Sequence, residues 1–259
     1  RPNIKLIIAF VGSSSPTGIK KLLLNLFYSK ADSFIFISEY VKKEKSKIFK
    51  KILYKRNKII YNGTKKREND GNNSIAIQSP AILDIAGLTI IKNINILIGA
   101  MEIICKDEKR NFYLYIAGDG PERNNLEQSI IKKELSNNIF LLGYTKNVGQ
   151  LINDCDIFVH PCYVEGFGIA VAEAMISKKP IIVANSGALP ELIDHNKSGL
   201  VVDPFNKYSW AKAIINLIDN NVISSEFANN ACIKAERNFS IENFINNYEN
   251  LYKELINEN

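Results

Sequence analysis

The sequence predicts an α/β fold built on a parallel sheet, and three observations predict it. From Ser74 onward, short apolar runs alternate with segments of helical period. Those runs are apolar on both faces, as strands covered by helices on two sides must be. Three strand ends carry glycine-containing turns that lead into helices: "GDGP" from Gly118, "EGFG" from Glu165 and "NSGALPEL" from Asn185. In sheets of this kind ligands bind outside the carboxyl ends of the strands, so these turns mark one candidate edge.

Taken in order, "AILDIAGL" is a strand followed by a helix from about Lys92 to Cys105, and "FYLYIAG" one followed by a helix from Pro121 to about Leu135. "NIFLLG" precedes a shorter helix near Val148, and "DIFVHP" precedes the apolar helix "IAVAEAMI". "KPIIVA" leads into "ALPELI", and "GLVVD" into a helix from about Tyr208 to Ile218. Helical segments run on from Ser224, the last from about Ile241 to Ile256. The first 67 residues add three apolar runs, "IKLIIAF", "SFIFIS" and "KIIYNG". Three strands make a poor independent domain, because they leave an edge and part of a face uncovered. The polar stretch Lys65 to Ser74 has linker composition and is the expected boundary.

Composition narrows the function classes. With 259 residues, 46% apolar and 23% charged, the chain has room for one large or two modest domains. No run approaches the roughly 18 apolar residues of a membrane-spanning helix, and nothing at the start reads as a signal peptide, so a cytoplasmic location is expected. The four cysteines are far apart and form no C-x-x-C, and only two histidines exist to complete a metal site, so core thiols and no metal cofactor are expected. The chain opens on Arg1, almost directly in an apolar run, and is expected to be a piece of a longer protein. The net charge of +6 is concentrated between Lys42 and Arg67, where twelve Lys/Arg meet one Glu. There "EYVKKEKSKIFKKILYK" puts Val41, Ile48, Phe49, Ile52 and Leu53 on one helical face. Such a helix either lies on an anionic membrane surface, through residues 39–58, or docks its apolar face on its own domain. No nucleic-acid motif or stacking platform accompanies the basic run, so nucleic acid is not an expected partner.

Candidate chemistry clusters at the strand ends. Glu173 is the one polar residue of "IAVAEAMI", and a carboxylate on a buried helix needs a hydrogen-bonding partner. Glu165 lies on the turn containing Gly166 and Gly168, where backbone can approach a ligand closely and free N–H groups at the helix start favour a phosphate. "GDGP" is a second such turn, with Arg123 in place of the third glycine of a dinucleotide fingerprint, which disfavours a nicotinamide domain. Asp154 and Asp156 precede the "IFVHP" strand and so fall on the opposite edge, which argues against a metal-bound diphosphate there. Lys92 follows "AILDIAGL" and is placed to neutralise a diphosphate or simply to point to water.

These residues resemble a known family. "EGFGIAVAE" is similar to the E-x7-E signature of retaining glycosyltransferases of the two-domain GT-B fold, in the glycosyltransferase group 1 family, also called family 4. "KADSFIFISEYVKKE", "KIIYNG", "IAGDGPERNNLE" and "NSGALPELIDHNKSGLVVDP" resemble further segments of that family, in its order, over about residues 31 to 218. The resemblance implies a GT-B fold with a Rossmann-like C-terminal domain (74–238) and a partial N-terminal, acceptor-side domain (1–67). The last helix, within 239–259, is then expected to pack back towards the N-terminal domain. It implies transfer of a sugar from a nucleotide-sugar to a saccharide or lipid-linked acceptor, with retained configuration and no bound metal. By position, Glu173 would hold the ribose hydroxyls and Glu165 the donor sugar. The backbone of Gly166, Phe167 and Gly168 would lie near sugar and phosphates, Gly118, Asp119 and Gly120 would belong to the donor site, and Lys92 would stabilise the departing diphosphate.

Two departures qualify that reading. Aligning "IAGLTIIKN" with the family places Gly87 where an arginine would share the diphosphate with Lys92, so one of two charges is lost. The strand "IIAFVGSSS" carries no counterpart of the family's N-terminal catalytic histidine; His160, at the end of "DIFVH", is expected to be a hydrogen-bonded neighbour of the site instead. Gly87, together with the expected lack of most of the N-terminal domain, leaves open a non-catalytic nucleotide-sugar-binding or scaffold subunit.

Overall fold

The computed structural model describes residues 5–12, 16, 18–49, 52, 55–68 and 74–257. Strands β1 (Ile7–Phe10), β2 (Ser33–Phe36) and β3 (Arg56–Ile59) form a parallel three-stranded sheet, joined by helices α1 (Gly18–Tyr28) and α2 (Glu39–Ile48). The second sheet contains β4 (Ala81–Ile85), β5 (Tyr113–Ala117), β6 (Ile139–Gly143), β7 (Ile157–His160), β8 (Ile181–Ala184) and β9 (Leu200–Val202). All its strands are parallel, in the order β6-β5-β4-β7-β8-β9, so the chain reverses direction across the sheet between β4 and β7. Its crossovers are α3 (Ile94–Glu102), α4 (Arg123–Lys132), α5 (Val148–Asp154), α6 (Ile169–Ile176) and α7 (Leu189–Leu192), and α8 (Lys207–Asp219), α9 (Asn221–Phe239) and α10 (Ile241–Ile256) follow.

The strands form where β-branched and aromatic residues run together, and β2, β7 and β8 are buried along their whole length. Three helix starts carry side-chain caps. Ser38 accepts from the Val41 amide at α2, Asn206 from Tyr208 and Ser209 at α8, and Ser240 from Asn243 at α10. One continuous core links Phe10, Phe34 and Phe36 of the first sheet to the interior of the second, so the two sheets do not have separate interiors. Helix α10 returns to the first sheet, where Leu251 and Leu255 pack on Ile35 and Ile60 and Lys58 pairs with Glu254 at 2.6 Å.

Three expectations are corrected here. The helix expected from Lys92 to Cys105 is broken at Asn93, which adopts a left-handed backbone (φ 55°, ψ 33°) and donates to the Pro204 carbonyl at 2.7 Å. Ile90–Lys92 therefore form a separate 3₁₀ turn that keeps Lys92 at the sheet edge. The next helix starts at Arg123 rather than Pro121, because residues 119–122 are spent on a turn packed against Leu88. The run 39–58 is not one helix, since α2 ends at Ile48 and Arg56 opens β3; of its apolar positions, Val41, Phe49 and Ile52 are buried in the core, and Lys45 is buried over the Phe10 ring. Those side chains are consumed by their own domain and are not on offer to a lipid surface; Leu53 lies outside the described residues. Lys43 and Lys47 remain exposed. Among the described residues no helix is long and apolar enough to cross a membrane.

Candidate active site

A cavity of about 880 Å³ opens at the carboxyl ends of β4, β5 and β7, where the strand order reverses, and faces the end of β1. Gly87, Lys92, Gly118, Asp119, His160, Glu165, Gly166, Phe167 and Gly168 line it. The strand-end logic therefore gathers eight of the expected donor-site residues, besides His160, around one space. Phe167 offers only its backbone, since its ring is buried against Tyr61 and Phe239.

The centre of the site is a chain of alternating charges. Lys92 Nζ lies 2.6 Å from Glu165 Oε2, and His160 Nε2 lies 3.1 Å from the same oxygen. His160 Nδ1 in turn lies 3.0 Å from Oδ1 of Asp84, a residue of β4 with no exposed surface. Burial by itself would raise the Glu165 carboxyl, but His160 and Lys92 outweigh it and pull it down to about 2. Burial pulls Lys92 down, and the neighbouring Glu165 carboxylate more than reverses this. His160 follows the same logic: burial disfavours its charge, yet hydrogen bonding to Asp84, Cys162 and Glu165 raises it well above the usual histidine range. Glu165 is thus a fixed carboxylate at neutral pH, with Lys92 held beside it as a fixed cation.

Backbone packing sets the position of Glu165. Gly187 has φ +60°, and a Cβ there would meet the Glu165 carbonyl and amide at 2.6 and 2.7 Å. Only glycine lets the β8–α7 turn close on this backbone, where Ala188 N also donates to the Glu165 carbonyl at 2.9 Å. Glu191 of α7 accepts from the amides of Glu39 and Tyr40 at 2.9 and 2.8 Å and from the Tyr61 hydroxyl at 3.1 Å. One carboxylate of the second sheet's side thereby caps α2 of the first, and Ser38 Oγ donates to the Gly166 carbonyl at 2.7 Å beside it. These contacts tie the two sheets together beside the cavity.

Two expected donor-site residues sit elsewhere. Gly120 faces away from the cavity: a Cβ there would strike the Leu88 carbonyl at 2.4 Å, so this glycine serves the packing of one turn on another. Glu173 lines a smaller neighbouring cavity of about 340 Å³ and meets Nη1 of Arg67 with both carboxylate oxygens at 3.2 Å. Its helix is also less enclosed than an all-apolar sequence implies, since Ile169 is half exposed at the mouth of the main cavity. Arg67 borders both cavities. Gly87 is roomy: a Cβ there would have one neighbour, the Asp119 carbonyl at 3.7 Å.

His160, Cys162 and Glu165 are close enough to share an ion, with donor atoms within 4.8 Å of one another. Each donor already has a partner: both imidazole nitrogens face carboxylates, Glu165 binds Lys92, and Cys162 Sγ donates to the Val164 carbonyl at 3.2 Å. Asp156, on the far edge, accepts from the Ala81 amide at 2.7 Å and anchors the start of β4. Asp84, Arg67 and Glu191 escaped the sequence reading. Of these only Asp84 carried a signal, a charge inside an apolar strand.

Two sheets of parallel strands facing each other across a cleft at their carboxyl ends are the GT-B glycosyltransferase fold. The structure matches that of Anabaena HepE, solved with UDP and glucose, with a TM-score of 0.82 at 22% identity over 96% of this chain and 71% of that one. It matches a glycosyltransferase of Rickettsia africae with a TM-score of 0.84 at 22% identity over 98% of this chain and 71% of that one. Residues 65–237 match the family Glycosyl transferases group 1, and the chain belongs to it. Poly(ribitol-phosphate) alpha-N-acetylglucosaminyltransferase of Staphylococcus aureus (strain COL) is 31% identical over 163 residues, 62% of this chain and 33% of that protein. An uncharacterized glycosyltransferase of Methanocaldococcus jannaschii is 31% identical over 210 residues, 76% of this chain and 53% of that protein. The chain spans about a third and about half of the lengths of these two curated relatives.

Proposed function

We propose that this chain carries the donor site of a retaining family 4 glycosyltransferase, which moves a sugar from a nucleotide-sugar to a saccharide or lipid-linked acceptor in glycan synthesis. The observation that carries the reading is the Lys92–Glu165–His160 cluster at the floor of the strand-end cavity, beside the open helix start at Gly168. Departure of a nucleoside diphosphate develops negative charge, and an ammonium already fixed in a partly buried site stabilises that charge with little reorganisation. Lys92 fills this role, and the Gly166–Gly168 backbone supplies N–H groups to the phosphates. Glu165 accepts from hydroxyls of the donor sugar through the carboxylate that Lys92 and His160 hold in place. Glu173 takes the ribose hydroxyls, exchanging or sharing its contact with Arg67. No step requires a metal ion. The proposed setting is cytoplasmic, with the exposed lysines of α2 as an electrostatic contact for an anionic membrane face.

The named activity of the Staphylococcus aureus relative supports transfer to a polymer in α linkage, and the UDP bound to the Anabaena neighbour makes UDP the first nucleotide to test. The test is thermal stability with UDP, GDP, ADP and CDP, free and as sugar conjugates, with Glu173→Ala alongside. One nucleotide should stabilise the chain and lose its effect in the variant; no shift with any of them from a folded chain would refute a donor site. A second reading, a non-catalytic nucleotide-sugar-binding or scaffold subunit, is favoured by Gly87, which leaves Lys92 without the family's companion charge. Nucleotide binding without donor hydrolysis or transfer, to any acceptor and with the full-length protein, would select it.

A further inference from the structure

Asp84 is an unusual tenant of its strand. The rest of β4 is "AIL" before it and Ile85 after it, the residue has no exposed surface, and it does not border the cavity. A carboxylate in such a place is strongly disfavoured unless a partner and hydrogen bonds offset its lost hydration. Its partner is His160 on the neighbouring strand β7, itself almost fully buried, while Asp84 Oδ2 has no partner at all. His160 does border the cavity, and its other nitrogen reaches Glu165.

This geometry constrains the imidazole. A neutral ring carries one N–H and one lone pair, so between two carboxylates it would turn the lone pair towards one of them. With both carboxylates ionised, the contacts at 3.0 and 3.1 Å are both hydrogen bonds only when both nitrogens carry protons. The titratable groups that face the ring are Asp84 on β4 and Glu165 and the Cys162 thiol on the loop after β7, while β8 brings only apolar residues and Lys92 of the 3₁₀ turn before α3 meets Glu165.

We propose that Asp84 and His160 are positioning residues, in which Asp84 keeps His160 doubly protonated so that the imidazolium aims the Glu165 carboxylate into the cavity. Lys92 holds one oxygen of Glu165 from one side and His160 holds the same Oε2 from another. Oε1 faces only the Gly166 amide at 3.2 Å, and is the oxygen available to a ligand hydroxyl. Asp84 touches no ligand and acts through the ring. The target of Glu165 rests on the proposed transfer reaction; the ionic state of the pair does not.

The elevated pKa of His160 gives the sign of the pH effect. Its stabilising contribution is complete below the ordinary histidine value, near 6.5, and is lost as pH rises through the higher value in the folded chain. The alkaline limb is therefore where Glu165 loses its aim.

The test is nitrogen-15 NMR of histidine-labelled protein across pH 6 to 10, practical because the chain has two histidines and His195→Asn leaves only His160. The expected spectrum shows His160 with both nitrogens protonated at pH 7, and Asp84→Asn moves its midpoint to lower pH. In steady-state assays of the full-length protein, Asp84→Asn should raise donor KM several-fold and move the alkaline limb to lower pH by the same shift, with kcat at pH 6 less affected. A neutral His160 at pH 7 in the unsubstituted protein overturns the proposal without any variant having to fold. So does an Asp84→Asn variant of native stability with unchanged titration and KM. If the NMR result is as expected while no donor binds, the pair stands and the transferase reading fails.

Discussion

Replacing Gly87 by arginine should strengthen diphosphate binding, an unusual direction for a substitution in an active site. On the proposed reading, glycine stands at position 87 where the resemblance expects a second cation beside Lys92, and the structure has room for one there. Gly87 does not use a left-handed backbone, and a Cβ there meets a single atom at the ordinary contact distance of 3.7 Å. The side chain would extend into the 880 Å³ cavity that Lys92 also lines. One charge-assisted hydrogen bond contributes about 1.5–3 kcal/mol, which corresponds to roughly 10- to 150-fold in affinity. The lower half of that range is expected, because the cavity is open to solvent and salt. Titration calorimetry of Gly87→Arg with UDP, at two ionic strengths, measures the gain; uridine, lacking phosphates, serves as the control. A gain of at least tenfold for UDP, shrinking with salt, and none for uridine is the expected outcome. A folded variant with unchanged or weaker UDP binding would refute the assignment of this strand end to the diphosphate.

Lys92→Met should lower turnover about 10²- to 10³-fold in transfer assays of the full-length protein, the range for losing one preorganised group that faces developing negative charge. A smaller loss in kcat than in nucleotide affinity would argue that Lys92 serves binding alone. Gly187→Ala should destabilise the chain by more than about 1 kcal/mol in urea titration, since it combines a positive φ with contacts of 2.6–2.7 Å to the Glu165 backbone. Native stability would show that the turn can yield. Glu165, lowered to about 2, contributes stability that is present above the ordinary carboxyl value and lost as pH falls through 2. Glu165→Gln should therefore flatten the acid limb of thermal stability between about pH 4.5 and 2, and an unchanged limb would count against the cluster. Removing the exposed lysines Lys43 and Lys47 should weaken binding to anionic vesicles by about 1 kcal/mol each at low salt. No vesicle binding by the unsubstituted chain would end the membrane reading.

Much of the architecture was legible in the order of the residues. The alternation of apolar runs with helical period gave the parallel sheet, because a strand buried on both faces must be apolar throughout. The breaks were harder. Asn93 divides a segment of continuous helical period, and its left-handed backbone is stabilised by a carbonyl more than one hundred residues away. Local pattern carries no trace of such a partner. The same holds for α2 and the residues just after it, whose apolar positions suit a lipid surface and their own core equally well; only the tertiary contacts of Val41, Phe49 and Ile52 decide between them.

The sequence by itself determined that Glu165, Lys92 and the glycine turns belong at one edge of one sheet, since strand direction and strand-to-helix order place them there. It did not determine which charges meet. That Glu165 binds Lys92 and His160, that Asp84 stands behind the imidazole, and that Arg67 occupies Glu173 follow from strand order and side-chain direction. These pairs join residues up to 106 positions apart. Electrostatic energy depends on distances in space and on burial, and the fold alone fixes both.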